Sequence, residues 1–294
     1  MTLPGPPSLS EHGRITRLLV KHPREAFIGP DAIAQEWETL NFTAAPDFAG
    51  AMREYDRFLE IIARSGAEVC ALPRSAGTGL DSMYVRDASV VCRRGVILCR
   101  MGKSARSAEP LAQQTVLAAS GIPIVGAIRE PGRLEGGDVV WLDDRTVAVG
   151  RGYRTNAAGI AQLRALLGDS IDELIDVPLV HWRGPRDVFH LMSILSPVDR
   201  DLAVVYAPLL PVFLRERLLD SGYKLVEVPD EEFATLGTNV LAIGPRQCVM
   251  LVGNPQTRTG LQRAGAQVHE YDGAEISLKG GGGPTCLTRP LERV

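Results

Sequence analysis

The sequence predicts an α/β fold in which five similar ββαβ units close into a ring, as the blades of a propeller do. Three observations predict it. β-like runs occur in pairs with short polar turns, a helical segment and a further short strand follow each pair, and the unit recurs about every fifty residues. An open α/β sheet in which this spacing is coincidental is the alternative interpretation.

Four segments have the strand–turn–strand pattern of a β-hairpin. In each, two short apolar runs flank a turn that is rich in Pro, Gly or charged residues, which is typical of two antiparallel strands. The four predicted hairpins span residues 88–99, 139–149, 191–206 and 240–252, with turns at 93–95, 143–145, 197–201 and 244–246.

A helical segment and a short strand follow each hairpin, which makes the unit ββαβ. The predicted helices span 107–120, 157–167, 208–220 and 257–264. Upstream, residues 48–64 carry apolar side chains at helical spacing, which predicts an amphipathic helix before the first hairpin. The stripe consists of Phe48, Met52, Tyr55, Leu59 and Ile62.

A polar residue stands at the start of each hairpin, and these residues lie 47 to 52 positions apart. They are Asp87, Asp138, His190, Asn239 and, by extrapolation, Cys286. The fifth unit begins at Cys286 and reaches the end of the sequence, so residues 15–20 are predicted to supply its missing strand. Radial repetition of small sheets would point all five residues at one central channel. We therefore predict a single catalytic domain over 15–294, preceded by a flexible segment at 1–14.

Composition excludes several classes of protein. The 294 residues are 45% hydrophobic and 23% charged, with a net charge of -3 and a mean hydropathy of +0.02. This is globular composition, with no basic stripe for nucleic acid and no apolar run long enough for a membrane. Five cysteines without a CxxC pair, and no signal-peptide pattern at the N-terminus, favour a cytoplasmic protein with reduced thiols.

In a ring, residues that are remote in sequence meet at the axis, and five of them could carry chemistry: Asp87, Glu135, Asp138, His190 and Cys286. A thiol together with a histidine is the minimal set for nucleophilic catalysis. The glycine run 280–283 before Cys286 allows close backbone approach to a ligand or movement as a flap, but it lacks the Lys-Ser/Thr of a phosphate loop. The acidic residues and Asn239 could equally be turn residues.

Five short motifs carry a resemblance to a known family. They are YVRD at 84–87, EGGD at 135–138, GYRTN at 152–156, HL at 190–191 and GGGGPTC at 280–286. In this order they resemble the motifs of the guanidine-modifying (pentein) superfamily. That group comprises the dimethylarginine dimethylaminohydrolases, the arginine deiminases and the amidinotransferases. The resemblance implies a five-bladed α/β propeller, in agreement with the repeat.

The resemblance also implies catalytic roles. Cys286 would attack the guanidinium carbon as a thiolate, and His190 would protonate the leaving amine and then activate water. Glu135 and Asp87 would hold the guanidinium nitrogens through charge-assisted hydrogen bonds. No metal and no cofactor are expected, since the Cys and His spacings fit no zinc site.

Three further residues match family positions that support the substrate. Arg106 and Arg154 match positions that clamp the α-carboxylate, and Asp138 is expected to support the site without reacting. The implied partner is a small arginine derivative, with neither nucleic acid nor membrane, and the oligomeric state stays open.

Substrate specificity is predicted from the string HLMS at 190–193. Arginine deiminases carry an aspartate where this chain has Met192, and the string and the chain length are more similar to the dimethylarginine hydrolases. We therefore expect hydrolysis of dimethylarginine to citrulline and dimethylamine. The glycine run is more similar to the deiminases and amidinotransferases, so both activities remain alternatives. A ring without catalysis, used for binding, is the alternative from another class.

Overall fold

The computed structural model describes residues 8–187 and 189–294. Their strands form five three-stranded sheets of one design, in which a hairpin is joined by a third strand parallel to its second. The predicted ring of five ββαβ units is thereby confirmed. Residues 1–7 of the N-terminal segment that was predicted to be flexible lie outside the described residues.

The strands are short. They are β1 Ile15–Val20, β2 Glu68–Ala71, β3 Ser89–Cys92, β4 Gly95–Leu98, β5 Ile124–Ala127, β6 Val139–Trp141, β7 Thr146–Arg151, β8 Glu173–Pro178, β9 Leu195–Asp199, β10 Leu202–Val205, β11 Lys224–Glu227, β12 Leu241–Gly244, β13 Gln247–Leu251, β14 Gln267–Tyr271 and β15 Thr288–Arg293. The helices are α1 Pro23–Ala26, α2 Pro30–Glu36, α3 Phe48–Arg64, α4 Glu109–Ala119, α5 Ala157–Leu167, α6 Val212–Asp220, α7 Asp230–Phe233 and α8 Pro255–Arg263.

Four sheets use consecutive strands, and the fifth joins the two ends of the chain. Its order is β15-β1-β2. β1 pairs antiparallel with β15, with Leu19 opposite Arg289, and parallel with β2, with Leu19 opposite Cys70. The N-terminal strand therefore completes the fifth unit, as predicted.

Apolar residues on the strands and helices build the core between the sheets and the outer helices. Every residue of β10 is buried, as expected for a β-branched central strand. The long helix α3 begins at Asp47, whose carboxylate accepts a hydrogen bond from Gly50 N at 2.6 Å. Its buried face is centred on Tyr55, Phe58 and Ile62, so the predicted stripe is correct at two positions and rotated elsewhere.

Several elements differ from the prediction. The third hairpin begins at Leu195 instead of Leu191, because Leu191–Ser193 forms a 3₁₀ turn. Pro197 lies inside β9, opposite Ala203, instead of in the turn. β9 is an edge strand, where the missing N–H of proline is tolerated. The helices α1, α2 and α7 and a π-helical turn at Ala274–Leu278 were not predicted.

The described part of the N-terminal segment, residues 8–14, packs on the ring. Ser8 N donates to Arg293 O at 2.8 Å, and Glu11 N donates to Trp141 O at 3.2 Å. The Glu11 side chain is buried against Arg86. Within the described range, no helix is both long and apolar enough to cross a bilayer.

Candidate active site

Three hairpins bring Asp87, Glu135 and His190 together, although these residues are far apart in sequence. Asp87 precedes β3, Glu135 precedes β6 and His190 precedes β9. His190 Nε2 lies 2.8 Å from Glu135 Oε2, and His190 Nδ1 lies 3.8 Å from Asp87 Oδ1. Gly137 fits between them, since a Cβ there would lie 2.5 Å from His190 Nδ1 and 2.7 Å from Asp87 Oδ1. The glycine of this motif is therefore required by close packing.

His190 is buried among negative charges. Burial alone would lower the pKa of His190, but Asp87, Asp138 and Glu135 together raise it to about 9. The ring is therefore an imidazolium at neutral pH, with a proton that can be given away. Its backbone N–H donates to Ser193 Oγ at 3.1 Å, which fixes the residue at the start of the 3₁₀ turn.

Glu135 is fully buried and accepts hydrogen bonds from both backbone and side chains. Gly102 N and Lys103 N donate to Oε1 at 2.9 and 3.1 Å, and Arg154 Nη1 contacts both carboxylate oxygens at 3.0 and 3.1 Å. Burial would raise the pKa of Glu135, but the hydrogen bond from His190 and the charge of Arg154 hold it well below its usual range. Glu135 is therefore an anion that fixes the imidazolium.

Asp87 is held by a second buried arginine. Arg106 Nη1 donates to Asp87 Oδ2 at 2.5 Å, and Gly137 N donates to Asp87 Oδ1 at 3.0 Å. Arg106 also binds Glu109 through Nε and Nη2, both at 2.8 Å. The guanidinium thereby orients the Asp87 carboxylate toward His190.

Asp138 connects two of the converging segments. Thr155 Oγ1 donates to Asp138 Oδ2 at 2.6 Å, and Leu191 N donates to Asp138 Oδ1 at 3.0 Å. Burial raises the pKa of Asp138 to about 6, against the opposing effects of His190 and Thr155. These bonds tie the segments that carry Thr155 and Leu191 together. That Asp138 supports the site without reacting stays a prediction.

Cys286 lies just before β15, next to Asn239 from the fourth hairpin. Asn239 Nδ2 is 3.5 Å from Cys286 Sγ, and Asn239 Oδ1 accepts from Thr285 N and Oγ1 at 3.0 and 2.8 Å. Burial and the charge of Asp87 raise the pKa of the Cys286 thiol, although hydrogen bonds from Thr285 and Asn239 oppose this. At neutral pH the Cys286 sulfur is therefore a thiol.

The glycine run before Cys286 packs against this chain itself. A Cβ on Gly280 or Gly282 would overlap the ring of Tyr84, and one on Gly283 would lie 2.5 Å from Asn239 Cγ. Gly281 has a φ of 75°, in the left-handed region that favours glycine. The close contacts of this run in the structure are with Tyr84 and Asn239. Close approach to a ligand, or movement as a flap, stays a prediction.

A cavity of about 210 Å³ opens beside Cys286 and His190. Its wall is partly apolar and partly basic, and Asp187 also lies in it. The apolar residues are Trp182, Met192, Phe233, Leu236 and Leu278, and the basic ones are Arg183, Arg186 and Lys279. Met192 thus lines the same cavity as Cys286 and His190. Its role in specificity stays a prediction.

Arg106 and Arg154, which we expected to clamp a substrate carboxylate, do not line this cavity. Both are buried, and each binds one of the carboxylates beside His190. Their contribution in this structure is to orient Asp87 and Glu135.

The sequence analysis missed the segment 182–187. Trp182 packs edge-on against Phe233 at 6.1 Å, and the Arg183 guanidinium lies 5.6 Å from the Trp182 ring centroid. The available signal was a basic and aromatic string, HWRGPRD, directly upstream of His190. This string does not occupy one of the five equivalent positions at the hairpin starts, so the repeat did not identify it.

Asp87, Glu135 and His190 also have ligand-type atoms within 4.8 Å of one another. Arg106 and Arg154 already neutralise the two carboxylates, and the proton on His190 would have to leave before a metal could bind. These contacts disfavour a metal ion at this cluster. That the protein needs no metal stays a prediction.

Comparisons with known proteins agree with this geometry. The model of the arginine deiminase family matches residues 81–215 and 209–293. A dimethylarginine dimethylaminohydrolase from Streptomyces coelicolor is 32% identical over 249 residues, which cover 84% of this chain and 88% of that protein.

Solved structures share the fold at lower identity. The dimethylarginine dimethylaminohydrolase of Pseudomonas aeruginosa, as a Cys-to-Ser variant with citrulline, has a TM-score of 0.75 and 22% identity over 95% of this chain and 99% of its own. An amidinotransferase from Microseira wollei has a TM-score of 0.78 and 17% identity, covering 98% and 97%.

Proposed function

The chain belongs to the arginine deiminase family, within the pentein superfamily, and from this premise we propose that it hydrolyses the guanidino group of an N-methylated arginine to citrulline and an amine. One observation carries the proposal. A buried thiol, Cys286, and a protonated imidazole, His190, line the same cavity, and Glu135 fixes the imidazole from behind.

In the first half of the reaction, the cationic substrate activates its own nucleophile. Burial raises the pKa of Cys286, and a guanidinium bound beside it favours the thiolate, whose proton is released to solvent. Sγ then adds to the guanidinium carbon. As His190 gives its proton to the methylated nitrogen, the carbon–nitrogen bond breaks, the amine leaves, and an amidino thioether remains on Cys286.

In the second half, water replaces the sulfur. His190, now neutral, takes a proton from a water molecule, and the resulting hydroxide adds to the thioether carbon. The carbon–sulfur bond breaks, which returns the Cys286 thiolate and releases the ureido group of citrulline. Glu135 stabilises the imidazolium each time it forms.

Arg183 and Arg186 are proposed to face the carboxylate end of the substrate. Both are exposed side chains in the cavity wall, whereas Arg106 and Arg154 are bound to Asp87 and Glu135. A guanidino compound with its reactive head at Cys286 would thus place an anionic tail beside two cations. Agmatine, which is arginine without the carboxylate, should therefore bind more weakly than arginine.

Deimination of unmethylated arginine is the second candidate, and Asp187 favours it. Among the described residues that line the cavity, Asp187 is the acidic one. A carboxylate there could satisfy the unsubstituted guanidinium nitrogens that Met192 cannot.

The test is a substrate panel. Arginine, monomethylarginine and asymmetric dimethylarginine are incubated separately with the protein, with and without an added acceptor amine. Citrulline and the released ammonia, methylamine or dimethylamine are then measured. We expect the highest kcat/KM for a methylated substrate. No citrulline from any of the three, or amidino transfer that outpaces hydrolysis, would reject the proposal.

Two matched cysteine variants assign the nucleophile. Cys286→Ser is expected to abolish turnover while the circular dichroism spectrum stays unchanged. Cys70→Ser serves as the control, because Cys70 lies on the edge strand β2 outside the cavity and should leave activity intact. Citrulline production by Cys286→Ser would remove this residue from the mechanism.

A further inference from the structure

Three buried arginines and one buried carboxylate, Glu11, line a second cavity, which shares no residue with the one beside Cys286. The exposed Glu292 also lines it and pairs with Arg17 instead of with these arginines. Arg86, Arg289 and Arg293 are 1%, 3% and 4% exposed. Among residues 8–187 and 189–294, one carboxylate lies within ion-pair distance of Arg86 and Arg293. It is Glu11, whose Oε2 lies 3.1 Å from Arg86 Nη1 and 3.8 Å from Arg293 Nη2. The cluster thus has two positive charges in excess, whereas buried charges are normally balanced.

Each of the three guanidinium groups also has a nitrogen without an acceptor. Arg86 Nη2, Arg289 Nε and Arg293 Nη2 are buried, and none has a hydrogen-bond partner in the described part of the chain. Glu11 accepts from Arg86 Nη1, and backbone carbonyls accept from Arg289 Nη2 and Arg293 Nη1. The cluster thus contains three buried, cationic donors that lack hydrogen-bond acceptors. This indicates that an acceptor binds between them.

The cavity limits the size of that acceptor. Its volume is about 20 Å³, which is room for one particle of the size of a water molecule. Burial and the charge of Arg86 lower the pKa of Arg289 to about 9 and that of Arg293 to about 10, so both remain cationic at neutral pH. A water molecule would meet the donors and leave the charge excess in place.

We propose that this cavity is a structural binding site for a monatomic anion of the halide class, with chloride as its ordinary occupant. A phosphate or carboxylate is too large for the space. The ion would join two separate parts of the chain, namely the start of the first hairpin, through Arg86, and β15, through Arg289 and Arg293. Arg86 also binds the reactive segment from behind, since its Nε donates to Thr285 O at 2.9 Å and its N donates to Cys286 O at 3.2 Å.

The first test is unfolding by urea in sodium chloride and in sodium gluconate at equal ionic strength. Gluconate is too bulky for the cavity and controls for screening. One bound ion lowers the unfolding constant by up to about 50-fold between roughly 10 and 500 mM chloride. Equal stability in the two salts at all concentrations would overturn the proposal.

Two variants locate the effect. Arg289→Met should lose the chloride dependence, since it removes one of the three cations. Arg57→Met removes the same charge from the surface, where its side chain is 67% exposed, and should keep the dependence. A chloride dependence that persists in Arg289→Met would place the ion elsewhere.

A second measurement uses the unmodified protein, so its outcome does not depend on whether a variant folds. Crystals of the unmodified protein grown in sodium bromide should show an anomalous peak between Arg86, Arg289 and Arg293. Density there without an anomalous signal would mean water alone, and the proposal would fall. Neither result depends on which guanidino compound the protein hydrolyses.

Discussion

At the residue scale, the carboxylates around His190 determine its protonation state. The pKa of the ring is raised from 6.5 to about 9, so its proton is retained through neutral pH and lost as the pH rises through about 9. We predict that kcat falls above that pH, because the leaving amine then has no proton donor. Glu135→Gln should move this descending limb to lower pH.

The measurement is the kcat–pH profile, paired with NMR titration of the His190 ring in Cys286→Ser. Asp144→Asn is the control, since Asp144 lies on the turn of the second hairpin, does not line the cavity, and should shift neither curve. A ring that titrates near 6.5 in the Cys286→Ser protein would contradict the argument.

Met192 and Asp187 give opposed predictions for specificity. Burying a methyl group contributes about 0.8 kcal/mol to binding, and an unmet hydrogen-bond donor costs about 1–3 kcal/mol. Together the two effects change the ratio of kcat/KM values by roughly ten- to a thousandfold. Met192→Asp should shift the ratio of kcat/KM values toward arginine by that order. Asp187→Asn should shift it toward methylated arginine.

The measurement is the ratio of kcat/KM for dimethylarginine and arginine in each variant. Met192→Leu serves as the control, because it keeps an apolar wall of similar volume. If Met192→Asp leaves the ratio unchanged, residue 192 does not contact the guanidinium.

The sequence predicted which residues come together better than it predicted the hydrogen-bond partners of their side chains. Asp87, His190 and Cys286 could be found because they occupy equivalent positions in a repeat, and a ring brings such positions together. That Arg106 and Arg154 bind carboxylates of this chain depends on distances across the ring, which spacing along the chain does not determine. The contacts of Asn239 with Cys286 were missed for the same reason.

At the element scale, the strands were predictable because each hairpin combines an apolar run with turn residues. Short helices were not, because α1 and α7 have only four residues each and thus contain no full apolar repeat. The 3₁₀ turn after His190 was read as strand because Leu191 and Ile194 are apolar. Its geometry depends on Asp138 accepting the Leu191 N–H, a tertiary contact.

The side chains of Tyr84 and Asn239 leave no room for a Cβ at several positions of the glycine run 280–283. This close packing leads to a third prediction. Gly282→Ala forces a Cβ into the Tyr84 ring, which cannot move freely because Tyr84 Oη donates to Ile276 O at 3.0 Å. We expect a loss of about 2–3 kcal/mol in the free energy of unfolding, with a large fall in kcat/KM. Urea unfolding and steady-state kinetics measure both.

Gly281→Ala is the matched control for that variant. A Cβ at Gly281 meets open space, and only its positive φ opposes the change, at a cost of about 1 kcal/mol. Gly282→Ala with the stability and activity of Gly281→Ala would show that the contact with Tyr84 is not limiting.

At the scale of the whole molecule, the two ends of the chain share one sheet. Arg14 N donates to Val294 O at 2.8 Å, and Val294 N donates to Arg14 O at 2.9 Å, where β1 begins and β15 ends. The strand that follows Cys286 therefore depends on a partner about 270 positions earlier in the sequence. A closed ring of this kind has no unit at which the fold must start.

That closure leads to the last prediction, a circular permutant. New termini are placed between Ser221 and Gly222, an exposed turn where a glycine has open space around it, and Val294 is joined to Met1. Because Arg14 already lies beside Val294, and residues 1–7 add length to the connection, we expect native circular dichroism and a kcat/KM within about threefold of the original protein. The control permutant opens the chain between Leu18 and Leu19, both fully buried in β1, and should lose fold and activity together. If instead the Ser221–Gly222 permutant fails to fold while the Leu18–Leu19 permutant is active, the pairing of β1 with β15 does not hold the ring closed.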